Sequence, residues 1–79
     1  MKKSIILVVN DEKSVAENIA ACLRKHDLNA DIATSGEDAI DYADKHNPDL
    51  IIVKFFMSGM DGYEVVKRLK THKKPHVYQ

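Results

Sequence analysis

The chain has 79 residues, 12 Lys+Arg against 12 Asp+Glu, and a formal net charge of zero, which excludes a global electrostatic pull toward nucleic acid or an anionic membrane. Its one cysteine, Cys22, excludes an internal disulfide or a paired-cysteine metal site and fits a reducing cytoplasm. The length predicts a single domain, 1–79, burying only about 60% of the surface its unfolded form exposes, with stability on the order of 4–12 kcal/mol.

Met1-Lys2-Lys3-Ser4 before the apolar run Ile5–Val9 looks faintly like a secretion leader. The run is too short, and Asn10-Asp11-Glu12-Lys13 follows at once, so that reading is rejected. Ile5–Val9 instead predicts a strand buried on both faces. From Ser14 to His26, Val15, Ile19, Cys22 and Leu23 fall on one helical face, with Cys22 expected in the core. Leu28, Ala30 and Ile32 alternate over Asp27–Ala33, a second strand. Thr34-Ser35-Gly36 is a break, and either hydroxyl is placed to cap a helix over Glu37–His46 with Ala39, Ile40 and Ala43 inward. Asn47-Pro48 stops it.

Asp49 is expected at the start of a second fully apolar strand, Leu50–Val53, which like the first is far too short to cross a bilayer. Phe55–Gly62 is a loop. Gly62–Thr71 reads as a third helix, with Val65, Val66 and Leu69 inward and Asp61 and Glu64 charging its start. Lys73-Lys74-Pro75 is expected to end it, and His76–Gln79 to begin one more strand. The basic run from Lys67 to Lys74 reads as a solvated helix face. His26, His46, His72 and His76 lie near helix ends and read as solvated, because Pro75 keeps the last two off a common helical turn. No glycine-rich phosphate loop or nucleophile–base pair is present. Strands alternating with helices imply right-handed crossovers and a parallel sheet.

Two stretches carry chemistry. Val8-Val9-Asn10-Asp11-Glu12 follows the first strand; Lys54 and then Met57-Ser58-Gly59-Met60-Asp61-Gly62-Tyr63-Glu64 follow the third. Both fall at carboxyl ends of strands flanking the point where strand order reverses, where open parallel sheets bind ligands. Together they resemble the bacterial response-regulator receiver domain, whose members read V-V-D-D-E after the first strand and L-x-D-x-x-M-P-G-M-D-G after the third. The resemblance runs through the whole chain. It implies an α/β, flavodoxin-like fold truncated to about three parallel strands in the order 2-1-3, with helices on both faces and room for a short fourth strand. The family's later strands, with the hydroxyl residue and lysine they present, are not matched.

A working receiver accepts a phosphoryl group on a third-strand carboxylate and holds magnesium with the acids after the first strand. By resemblance, Asn10 stands at the first acid, Asp11 matches the second, and Lys54 sits at the acceptor position. An amine there cannot form an aspartyl phosphate. Three carboxylates would sum to about −3, whereas Asp11 and Lys54 sum to about zero, so the drive for magnesium is largely gone. Lys54 either pairs with Asp11 or points to solvent. Ser58 replaces the loop proline, which is expected to loosen the backbone.

The expected function is therefore a non-phosphorylatable pseudo-receiver, a protein–protein interaction or dimerisation module of two-component-type signalling, with no catalytic residue, metal or cofactor. The alternatives are a phosphotransfer receiver using another carboxylate with Mg2+, and a fragment that needs a missing C-terminal half. The expected partner is a second copy, or another signalling protein, rather than nucleic acid or membrane. Leu50, Ile51, Ile52 and Val53 are expected to become an edge strand, a template for pairing, unless covered by the third strand of a second copy or by the His76–Gln79 stub of the same or a partner chain. With Phe55, Phe56, Val77 and Tyr78 they make the candidate interface. The two phenylalanines either fold back onto the third helix or join that interface.

Overall fold

A computed structural model describes residues 4–72 and 76–78, with side chains described as far as Lys70. The elements are β1 (Ile5–Val9), α1 (Lys13–Lys25), β2 (Asn29–Ala33), α2 (Gly36–His46), β3 (Leu50–Val53), α3 (Gly62–His72) and β4 (His76–Tyr78). The sheet is parallel throughout, in the order β2-β1-β3-β4. The expected 2-1-3 arrangement is present, and the short fourth strand joins it.

Side chains alternate across the strands and feed two cores. On one face Leu7, Val9, Ile51 and Val53 pack with Ala39 and Ala43 of α2 and Val65 and Leu69 of α3. On the other, Ile6 and Ala30 meet Ala20 of α1, with Leu23, Ile32, Leu50 and Ile52 packed around them and half-buried. Capping is as the sequence indicates. Ser35 accepts from the Asp38 N–H at 3.1 Å, and Asp61 from the Glu64 N–H at 2.9 Å. Asp49 clasps the start of β1: its N–H donates to the Ile5 carbonyl at 2.8 Å, and its carboxylate accepts from the Ile5 N–H at 2.7 Å.

Two expectations are corrected. The buried stripe of α1 is Ala16 and Ala20, flanked by Ile19 and Leu23, while Val15 and Cys22 are exposed. Small alanines let the helix approach the sheet closely, so the inward stripe sits roughly one residue, about 100°, from where the bulkier side chains point. Second, β2 starts at Asn29 rather than Asp27. Asp27 is left-handed (φ 63°), and the Leu28 N–H turns back to the Leu23 carbonyl at 3.1 Å, closing α1 and leaving Leu28 exposed.

Of the coverings expected for β3, the chain's own C-terminal stub supplies one, as β4. Leu50, Ile51 and Ile52 pair in register with His76, Val77 and Tyr78. Ile51 and Val53 are core residues and Leu50 and Ile52 are half-buried, so this part of the candidate interface is largely consumed within the chain. The side chains of Val77 and Tyr78, and the helix stop at Lys73-Lys74-Pro75, lie outside the described residues.

Candidate functional site

The pairing of β1 with β3 continues one residue past β3: the Lys54 N–H donates to the Val9 carbonyl at 3.0 Å. This brings Asn10, Asp11 and Glu12 beside Lys54 at the carboxyl end of the sheet. Asn10 is 8% exposed. Its backbone N–H donates to the Ala33 carbonyl at 3.1 Å, and its side-chain oxygen accepts from the Glu12 N–H at 2.9 Å. Its acceptor is thus turned onto its own loop, which shapes the approach to α1.

Asp11 is held on both oxygens. Oδ1 lies 3.2 Å from the Lys54 ammonium; Oδ2 accepts from the Ser58 N–H at 3.1 Å and the Ser58 hydroxyl at 3.4 Å. The Ser58 amide, first, and the Lys54 ammonium, second, hold the Asp11 carboxyl below its ordinary acidity range. Lys54 also reaches Glu12 Oε1 at 3.3 Å, and bonds to Asp11 and then Glu12 raise its pKa. Of the two placements open to Lys54, the paired one forms.

The loop after β3 is tethered to Asp11 through Ser58. Proline has no N–H to give, so the serine at position 58 supplies the donor that grips Asp11. Met57 and Met60 pack against the core beneath α2 and α3. Gly59 adopts φ +74°, a left-handed conformation suited to glycine. Gly62 opens α3 with its N–H on the Phe55 carbonyl at 2.7 Å; a Cβ there would lie 2.5 Å from the Lys54 carbonyl oxygen and 2.7 Å from Phe55 Cα. Phe55 and Phe56 are both exposed, Phe55 to 42%. They stack edge to face at 4.8 Å, and Phe56 stays 78% exposed. Among the described residues no three His, Cys, Asp or Glu side chains converge in a way that could hold a metal ion.

A sequence model of the response regulator receiver domain matches residues 6–78. The chain belongs to this family. It is 36% identical over 64 residues to the heme response regulator HssR of Staphylococcus epidermidis, covering 81% of this chain and 29% of that protein. It is 35% identical over 68 residues to the alkaline phosphatase synthesis transcriptional regulatory protein PhoP of Bacillus subtilis, covering 86% and 28%. Among solved structures it superposes on the response regulator TrrA of Thermotoga maritima, determined with Mg2+ and BeF, with TM-score 0.88 and 32% identity, covering 94% of this chain and 65% of that one. On the chemotaxis protein CheY4 of Vibrio cholerae the TM-score is 0.88 at 26% identity, covering 92% and 61%. The chain thus spans under a third of the two regulators and less than two thirds of the receiver chains it superposes on.

The structure brings Asn10, Asp11, Lys54 and Ser58 together; Met57, Met60 and Gly62 serve packing, and Asp61 the helix start. Sequence reasoning missed Glu12 as a second partner of Lys54 and Ser58 as a donor. The adjacency of Glu12 to Asp11 was a usable signal. The Ser58 contact was not, because it depends on how the loop folds back.

Proposed function

We propose that this chain is a phosphorylation-independent pseudo-receiver, working in two-component-type signalling as a protein-interaction module. One observation carries the reading: the Lys54 ammonium lies 3.2 Å from Asp11 Oδ1 at the position where the family pattern has its acceptor carboxylate. An ammonium does not accept a phosphoryl group as a carboxylate does, and its charge repels a divalent cation placed against it. The donor set does not fit magnesium either. Magnesium wants hard oxygens in near-octahedral array, yet the Asn10 oxygen is bonded to a backbone amide and both Asp11 oxygens face donors.

The surface proposed for partners is the β3–α3 loop with its exposed Phe55–Phe56 pair, together with the outer margin of β4, where a second copy would pair across a two-fold axis. Incubation with a small acyl-phosphate donor and magnesium is expected to leave the intact mass unchanged. A stoichiometric gain of one acid-stable, base-labile phosphoryl group would instead establish phosphotransfer on another carboxylate.

A further inference from the structure

The sheet has two margins, β2 and β4, and β2 is the longer, with five residues against three. In a parallel sheet a residue sends its N–H and C=O to the same side, and successive residues alternate between the two neighbours. Ala33 faces β1, since its carbonyl accepts from Asn10. By that phase and the printed register, Asp31 and Asn29 also face β1, so Ala30 and Ile32 direct their amides and carbonyls out of the sheet. The phase on β1 agrees: the Ile5 and Val9 carbonyls accept from Asp49 and Lys54 on the β3 side.

Arg24, in the last turn of α1, reaches this outer edge. Its Nε and Nη2 both donate to the Ala30 carbonyl oxygen, at 3.1 and 2.6 Å. The carbonyl so occupied is one that an added strand would need. The guanidinium also lays a fixed charge along the edge, and an inserting strand would have to displace its planar fork. Asn29 and Asp31, both exposed, add polar side chains on the same strand.

We infer that Arg24 is an edge guard: it closes the β2 margin to strand addition by a second copy of this chain, leaving the β4 margin as the one open to pairing. This goes beyond the pseudo-receiver reading and does not depend on it. A guard differs from a simple clamp of α1 onto β2 in what its loss exposes. Loss of a clamp lowers stability alone, whereas loss of a guard creates a new contact at the outward amides of Ala30 and Ile32.

The test uses the full chain with Arg24→Met, which keeps an apolar stem and removes the fork. Sedimentation and amide hydrogen exchange are followed across a wide range of protein concentration. The variant is expected to sediment faster as concentration rises, with exchange at Ala30 and Ile32 slowing by roughly tenfold; in the parent chain those two amides exchange independently of concentration. Sedimentation matching the parent, or association that leaves both amides unchanged, overturns the proposal. If Arg24→Met loses cooperative unfolding, Arg24→Gln, which removes both the charge and the fork, carries the same readout; loss of folding in both assigns Arg24 to a structural clamp and also overturns the guard. Phosphodonor labelling is insensitive to Arg24, so failure here is distinguishable from failure of the pseudo-receiver reading.

Discussion

The Ser58 amide is the largest single influence lowering the Asp11 pKa, with the Lys54 ammonium beside it, and the pairing has a measurable consequence. Its folded pKa is depressed, so the stabilisation it gives is present above its ordinary value of 3.8 and is lost as pH falls through the lower folded value. For Lys54 the sign reverses: its pKa is raised, so its contribution is complete below 10.5 and lost as pH rises through the higher folded value. The pair is therefore intact over the whole neutral range and is no physiological pH sensor. A carboxyl-carbon NMR titration is expected to place the Asp11 midpoint below 3.8 and, in Lys54→Met, to return it only part of the way, because the Ser58 donors remain. Full return to 3.8 would show the ammonium to be the dominant influence. At this scale the sequence was informative about Asn10, Asp11 and Lys54, whose spacing follows from strands, and silent about Ser58, whose contact depends on a loop closing over 47 residues of chain separation.

Among the elements, α3 begins where the β3–α3 loop returns to β3. Gly62 makes that return possible by letting its backbone press against Lys54 and Phe55. A methyl at this position meets backbone rather than a movable side-chain end, so Gly62→Ala is expected to destabilise the chain by about 1–3 kcal/mol, the usual cost of overpacking. Denaturant unfolding measures this, and an unchanged midpoint would mean that the loop gives way freely. Strands β1 and β3 and the caps at Ser35 and Asp61 were legible because unbroken apolar runs and hydroxyl or carboxylate breaks are local signals. The face of α1 was misjudged for a physical reason. Periodicity weights bulky residues, while close packing on a flat sheet selects Ala16 and Ala20 and sets Val15 and Cys22 aside. The late start of β2 after a left-handed Asp27 was equally hidden, since aspartate there carries no strong turn signal.

For the molecule as a whole, the decisive addition is three residues long. Strand β4 covers the backbone of Leu50, Ile51 and Ile52, which would otherwise present unpaired amides and carbonyls beside a half-covered apolar face. Ending the chain after His72 is expected to convert the protein to a species that aggregates at tens of micromolar, while the parent chain forms at most small, reversible assemblies; light scattering of the two side by side checks this. A truncated chain that stays as soluble and monodisperse as the parent would show that β4 is dispensable for covering β3. The parallel sheet was readable from alternating strand and helix patterns, and its order from the family resemblance. Whether the last strand would close on its own chain or on another was not, because His76-Val77-Tyr78 carries the same pairing capacity toward either.

The grip of Lys54 on two carboxylates at once also sets the direction in which this site can evolve. Replacing Lys54 by aspartate would restore the family's acceptor group but would set three anions, the new one with Asp11 and Glu12, against one another in the space a single ammonium now reconciles. Asn10, meanwhile, remains turned toward its own loop. Lys54→Asp is therefore expected to lower stability at neutral pH, and because Asn10 stays as it is, that one substitution does not rebuild the family's acid set.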